Sequence, residues 1–487
     1  MGNLLQSINK ALKNNVLHFV FAGYVTYFIQ FVNSLFIAVY LGPYYLGIWG
    51  FIMLIIQYAN QLNFGISHSI NALASVNKHK TGYVSKLLGT AFIILIGLSV
   101  FVTIIFALNY LLDLQFGEKY NFSKYAPLIL LIAILGYFNG LISNVFRIYG
   151  KLFEIAFSQI AFPVLVLASI LFFKGESLLW ALVIDNVIAF FLSFILFIIQ
   201  SPVKIRLTFS KRLAIKIQRK GWHLFIYNTS FYLIIISTRS FVSAYYDVTE
   251  FGYFTFAFTM ANAILLLLEA LSYLIYPKML NRFASYSMNE ISSLLEMVRD
   301  AYITTSHALI HFSILLFPVF LMHFPKYQNA SSAFKIIALT IVLYTNSFGY
   351  SGLIIAKNEE KKLGRIAFFA LCMNIVIALL LVKVFQVTST FVIVSTMITY
   401  VIYVFSLGVF GRKIMNLKID IVSVFKDVFP FRLFLPYLLS FLFIAFHVRD
   451  IYFIIPFLFF LVLNYRAFFN IVDVVKKVVI NPEFIKL

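Results

Sequence analysis

The sequence predicts an all-α polytopic membrane protein, and three observations carry that prediction. Hydrophobic residues make up 62% of the 487 and charged ones only 11%, with a mean hydropathy of +0.95, so a water-soluble globule would have to clothe itself in apolar surface. The apolar residues are grouped in runs of about 20, the length a helix needs to cross roughly 30 Å of hydrocarbon with its backbone bonds made internally. The chain also repeats itself. Lys151-Leu152-Phe153-Glu154-Ile155-Ala156-Phe157 and Lys362-Leu363-Gly364-Arg365-Ile366-Ala367-Phe368 share the pattern K-L-x-x-I-A-F 211 residues apart, while Phe36, Tyr40, Gly47 and Phe51 recur as Phe241, Tyr245, Gly252 and Phe256 at an offset of 205. Two pseudo-symmetric six-helix lobes fit that repeat, an arrangement that in membranes usually encloses a central path.

Fourteen spans are expected, over 16–40, 48–72, 84–110, 125–147, 152–173, 178–200, 222–245, 251–277, 301–324, 333–356, 364–385, 388–410, 431–447 and 451–470. Residues 1–15 contain Lys10 and Lys13 but no cleavable signal pattern, so the first apolar segment is read as a retained helix. A tight turn, Leu41-Gly42-Pro43-Tyr44-Tyr45-Leu46-Gly47, separates the first two spans, and the fourth carries the close-packing pair Gly136 and Gly140. Pro436 interrupts the thirteenth. Trp49, Trp180 and Trp222 fall at span ends, where an amphipathic ring prefers the headgroup layer. The expected organisation is an N-lobe over 1–200, a basic cytoplasmic linker over 201–221, a C-lobe over 222–410, and a C-terminal helix pair and tail over 411–487.

Orientation follows from the bias of basic residues toward cytoplasmic loops. With the N-terminus inside, and residues near span ends counted with the adjoining segment, cytoplasmic segments hold 30 of the 38 Lys and Arg, outer loops seven, and one, Arg239, sits within a span. The net charge of +20 is therefore a topological signal, not a sign of nucleic-acid binding, and both termini are expected in the cytoplasm. The densest stretch, 201–221, has seven cations and no acid. It either enforces topology or rests on anionic lipid, each cation being worth about 1 kcal/mol near the surface. A further segment, 283–299, mixes Glu290, Glu296 and Arg299 with Ile291, Leu294, Leu295 and Val298, the pattern of an amphipathic interfacial helix.

Catalytic, metal and cofactor chemistry are not expected. The lone Cys372 permits no intrachain disulfide or cysteine cluster, and there is no phosphate-binding loop, H-E-x-x-H or G-x-S-x-G. The longest outer loop, about 111–124, is too short to carry the catalytic groups of a membrane polymerase or glycosyltransferase.

The turn Leu41-Gly42-Pro43-x-x-Leu46-Gly47-Ile48-Trp49, followed by Asn63-Phe64-Gly65-Ile66, resembles the polysaccharide repeat-unit flippases. These are the O-antigen and capsule translocases of the superfamily that also holds the multidrug and toxin extrusion antiporters. The resemblance covers essentially the whole chain. It implies a V-shaped bundle whose lobes rock about a central cavity. It also implies an undecaprenyl-diphosphate-linked oligosaccharide as substrate in a bacterial inner membrane, with membrane lipids and other polysaccharide assembly proteins as partners. A drug or cation antiporter on the same fold is the alternative, and it would need an acidic cavity.

Site candidates come from the physics of charge and hydrogen bonding in lipid. A diphosphate crossing hydrocarbon needs a compensating cation, which makes Arg239 in the seventh span the first candidate, against snorkelling from only about 9 Å inside the span end. The repeat pairs Thr238 with Asn33. Gln57, Asn60, Asn63, Ser67 and Asn71, spaced along one face of the second span with Gln61 and His68 beside them, offer donors and acceptors for sugar hydroxyls, or for interhelical bonds. Arg147 is either a headgroup ligand or a topology determinant. Glu269 and Asp185 are the in-span carboxylates for ion coupling. His307 and His311, four apart, have the spacing of two metal ligands but no carboxylate or cysteine nearby.

Overall fold

A computed structural model describes residues 15–285 and 288–480, and among them there is no strand. Sixteen α-helices carry the described residues. They are α1 (Asn15–Gln61), α2 (Ile66–Val76), α3 (Thr81–Leu111), α4 (Phe122–Ile148), α5 (Leu152–Phe172), α6 (Gly175–Ile199), α7 (Lys211–Tyr245), α8 (Val248–Ser285), α9 (Met288–Leu321), α10 (Ser331–Thr345), α11 (Tyr350–Ala356), α12 (Glu360–Lys383), α13 (Val394–Ile414), α14 (Ile421–Val428), α15 (Phe431–Ala445) and α16 (Ile454–Ile480). The chain forms two compact units, Met1–Phe225 and Ile226–Leu487.

The protein is an all-α polytopic membrane protein, and the expected fourteen spans do not all appear as separate straight helices. Among the described residues, ten helical stretches are long and apolar enough to cross a membrane, or eleven if the bent pair α14–α15 counts as one. Three local features qualify the expected elements. The expected turn at 41–47 is tighter than a loop: two helical segments, numbered together as α1, meet at a kink at the non-helical Gly42 (φ 70°, ψ 171°), where the first two expected spans join. Pro436 does not interrupt the thirteenth span; the helix passes through it, and the break falls before Phe431, where α14 and α15 meet at 75°. The expected interfacial helix over 283–299 is instead divided: 283–285 end α8 and 288–299 begin α9, with Ile291 and Leu295 buried and Arg299 drawn inside.

The repeat is visible as matched contacts inside each unit. Phe36 stacks on Tyr40 with ring centres 6.1 Å apart, and Phe241 stacks on Tyr245 at 6.2 Å. Lys174 lies over the Tyr40 ring at 5.2 Å, as Lys383 lies over Tyr245 at 4.6 Å. Phe51 stacks on buried Tyr120 at 4.2 Å, and its counterpart Phe256 stacks on buried Tyr327 at the same distance. Such ring contacts add roughly 0.5 to 1.5 kcal/mol each beyond area burial, so the repeated residues hold equivalent helices together in both units.

Lipid-facing surfaces read as the bilayer requires. Exposed positions along α3 are Ile96, Val100, Phe101, Ile104, Ile105 and Leu108. In contrast, the basic stretch before α7 is strapped to the first unit. Ser85 donates to the Lys204 carbonyl, Thr90 to that of Thr208 at 3.1 Å, and Ser69 to that of Ile217. Gly89 makes the strap possible, because a Cβ there would stand 1.7 Å from the Arg206 oxygen. Gly89→Ala is expected to destabilise the protein by about 1 to 3 kcal/mol, the cost of overpacking, whereas Gly97→Ala, with nothing within 4 Å, is expected to leave the thermal unfolding midpoint in detergent near that of the parent.

Candidate functional site

In the first unit the second span is not one helix. α1 ends at Gln61 and α2 begins at Ile66, with Phe64 (φ 47°) and Gly65 (φ 75°) in the left-handed region between them. Glycine takes that conformation without the Cβ clash other residues meet, and a Cβ on Gly65 would also stand 2.7 Å from that of Phe225. Inside a bilayer the backbone groups freed by such a break must find partners. The Asn63 side chain supplies two: its amide donates to the Asn60 carbonyl at 2.8 Å and its oxygen accepts from Gly65 N–H at 2.9 Å. Tyr137 of α4 donates to the Ala59 carbonyl at 2.8 Å.

The break corrects the expectation of a continuous helical face. Gln57 and Asn60 lie on the end of α1, Asn63 in the turn, and Ser67 and Asn71 one turn apart on α2, whose opposite face buries Ile66, Ile70, Leu73 and Ala74. α4 closes against this segment through its two glycines. A Cβ on Gly136 would stand 2.8 Å from Asn60 Oδ1, and one on Gly140 3.7 Å from Ser67 Oγ. Asn144 on α4 donates to the Ser67 carbonyl at 3.3 Å and to that of Gly140 at 2.9 Å. One turn on, Arg147 is exposed, near enough to act electrostatically on exposed His68. Gln57, Asn60, Gln61, Asn63, Ser67, Asn71 and Asn144 are all half-buried. Thus Gln57, Asn60, Asn63 and Ser67 gather beside α4, which carries Arg147, whereas the exposed positions of α3 from Ile96 to Leu108 are apolar but for Thr103.

Asn33 and Thr238 fasten helices. Buried Asn33 donates to the Pro163 carbonyl on α5 at 2.8 Å. Fully buried Thr238 bonds Thr396 at 2.7 Å and Ser395 at 3.2 Å on α13 and accepts from Asn374 of α12 at 3.1 Å. Asn374 stands 211 residues after Pro163, the second repeat offset, so the same helix pair carries a polar bond at the same level in both units. Asn374 also donates to the Ile234 carbonyl at 2.7 Å and to Ser237 at 2.9 Å. Next to Thr238, Arg239 is only 4% exposed, with its guanidinium 4.7 Å from the centre of the Phe258 ring. Although α7 ends at Tyr245 as expected, the side chain does not snorkel to the surface.

Asp185 is buried on α6, close to Ser169 of α5. Glu269 is carried by α8, and its side chain lies outside the described residues.

A second interrupted helix, missed in the sequence, stands in the second unit. α10 ends at Thr345 and α11 begins at Tyr350, with Gly349 at φ 84° and a Cβ there 2.3 Å from Leu295 Cδ1. Here the freed carbonyl belongs to Asn346, and Arg299 satisfies it from Nε (3.2 Å) and Nη2 (2.9 Å) while Nη1 donates to the Asp427 carbonyl and the guanidinium stacks over Tyr350. The signal was present in Phe348-Gly349, which repeats the Phe64-Gly65 of the first break.

Residues 36–323 match the family described as Polysaccharide biosynthesis protein. The chain belongs to that family. No curated protein sequence matches it. Among solved structures it is similar to "Lipid II flippase MurJ, inward closed conformation", with a TM-score of 0.67 and 16% identity over 96% of this chain and 100% of that one. It is also similar to an inward-facing multidrug resistance MATE family transporter of the MOP superfamily, with a TM-score of 0.65 and 15% identity over 80% and 94%. A MOP superfamily transporter from Pyrococcus furiosus gives 0.54 and 15% over 82% and 95%. At such identities the likeness is one of fold, and it extends over nearly the whole length of each neighbour.

Asn374→Leu, which leaves Thr238, Ser237 and the Ile234 carbonyl without their shared donor, is expected to lower unfolding stability by roughly 1 to 2 kcal/mol, near the upper range for bonds between membrane helices. Reversible unfolding in mixed micelles measures it, with Asn33→Leu, which removes a single bond, expected to cost less.

Proposed function

We propose that this membrane protein is a flippase that moves an undecaprenyl-diphosphate-linked oligosaccharide repeat unit from the inner to the outer leaflet of the bacterial cytoplasmic membrane by alternating access. Family membership ties the chain to polysaccharide biosynthesis, and one observation on the molecule carries the rest. The α1–α2 break and α4 present a half-exposed polar surface in a segment that belongs to the membrane, with an exposed guanidinium at its end. Polar side chains at membrane depth are expensive against lipid and mark a wet path, and interrupted helices are the usual pointer to a substrate site in transporters. In this reading Gln57, Asn60, Asn63 and Ser67 offer hydrogen bonds to sugar hydroxyls, and Arg147 offers a planar fork to the diphosphate. Arg239, enclosed by its own unit, acts on the anion at longer range, and Asp185 and Glu269 are the carboxylates for ion coupling. The organisation into lobes at 1–200 and 222–410, a linker at 201–221 and an appended pair at 411–487, with both termini cytoplasmic, belongs to the same proposal.

Purified protein in liposomes is expected to move a labelled undecaprenyl-diphosphate oligosaccharide between leaflets. Arg147→Gln is expected to slow that movement about tenfold or more, the equivalent of roughly 1.4 kcal/mol, and Arg239→Gln to slow it less. Absence of movement with several oligosaccharides, together with efflux of cationic dyes, would replace the flippase with the antiporter.

A further inference from the structure

The second unit holds a polar seam in the middle of α9 that neither the break at Asn346 nor the surface of the first unit uses. Thr304, His307 and His311 lie three and four residues apart, on one face of the helix, and all are buried. His307 Nε2 stands 3.1 Å from Asn346 Oδ1. Since that oxygen only accepts, the bond exists when Nε2 carries hydrogen, and in the neutral ring Nδ1 is then a bare lone pair. His311 Nδ1 bonds Ser440 Oγ of α15 at 3.2 Å. Among the described residues, four atoms of this seam have no hydrogen-bond partner: Thr304 Oγ1, His307 Nδ1, His311 Nε2 and Tyr437 Oη. The rings are close, with His307 6.4 Å from His311 and 6.3 Å from Tyr437, centre to centre.

Buried polar atoms without partners are rare, and a group of them around two imidazoles implies an occupant. A metal ion is a poor one. No group of three or more His, Cys, Asp or Glu able to hold a metal exists among the described residues, and Arg432 places a cation where its charge acts on His307. A proton needs only one lone pair.

We propose that His307 and His311, with Tyr437 beside them, form a proton-binding site in the seam between α9 and α15, and that its occupation loosens the seat of α15 on α9. Water delivers the proton to His307 Nδ1, making a new N–H bond and an imidazolium, and hydroxide stays with the solvent. The charged neighbours set the outcome. α15 offers Arg432, ion-paired with Asp300 of α9 and bonded to Asn464 of α16 at 2.8 Å. α10 offers Lys335, tied to Asp450, and Arg299 on α9 itself is occupied by backbone carbonyls. α16 brings the Phe460 ring to 5.2 Å from His311. α8 contributes Glu269 in sequence, beyond the described side chains. An imidazolium here meets the cation of Arg432, whose own carboxylate partner, Asp300, is already ion-paired.

The proposal does not rest on the flippase reading, and its test needs no transport. Hydrogen exchange of residues 431–445 is measured in lipid nanodiscs at about pH 7.5 and about pH 4.5, on either side of the ordinary imidazole range, with the intrinsic pH dependence of exchange divided out. The parent protein is expected to open this segment several-fold more in acid. In His307→Gln/His311→Gln, whose amides keep the bonds to Asn346 and Ser440, the two pH values are expected to agree. The single variants are run beside it, so that a seam disturbed by one change is read in the other. A parent without acid opening, or a double variant that keeps it, overturns the proposal. So does loss of the effect in Glu269→Gln with both histidines in place, which would move the proton to α8.

Discussion

Hydrocarbon offers no hydrogen bonds, so each backbone group in a spanning segment must be satisfied by the protein itself. Among the described residues the chain is interrupted within expected spans at α1–α2 and at α10–α11, and much of the surrounding structure answers that one demand. At the first break a single asparagine, Asn63, closes the turn on both sides while Tyr137 reaches across from α4. That reach requires close approach, which the glycines at 136 and 140 allow. At the second break the freed Asn346 carbonyl is met by Arg299, a charged side chain drawn from the start of α9 to 7% exposure. Burying a guanidinium is costly unless its donors are used, and three of them are.

The two units repeat their packing more faithfully than their chemistry. Stacked Phe–Tyr pairs, a lysine over each tyrosine and a polar bond between equivalent helices recur at offsets near 205 and 211. Around that bond the units have diverged. Asn33 makes one contact to a carbonyl, while Thr238 sits in a hydroxyl–amide cluster with Asn374, Ser395 and Thr396 and has Arg239 next to it. The C-terminal helices show the same economy. Arg432 and Lys335 tie them to α9 and α10 by ion pairs, and Leu433 and Phe460 pack with Ile303, so they belong to the second compact unit.

Apolar run lengths and the spacing of the repeats were legible in the sequence because each reports a one-dimensional constraint: the thickness of hydrocarbon and the recurrence of one packing pattern along the chain. The polar run from Gln57 to Asn71 was legible as well, since so many amides in an apolar segment need a reason. Its geometry was not. The face drawn along a straight helix vanished once Phe64 and Gly65 turned left-handed, and a local backbone conformation of this kind depends on whether a distant tyrosine and two glycines can accept it.

What the sequence determined by itself was the class of molecule, its order of helices and the internal repetition, because these follow from which residues lipid tolerates. Tertiary structure decided the roles of individual polar residues. Asn33 and Thr238 became fasteners, Arg239 was enclosed, Arg299 left the interface to cap a carbonyl, and the isolated pair His307 and His311 acquired Asn346, Ser440 and Tyr437 as neighbours. The reason is common to all of them: in a medium without water a polar side chain is defined by the partner that reaches it, and those partners lie tens to hundreds of residues away in the chain.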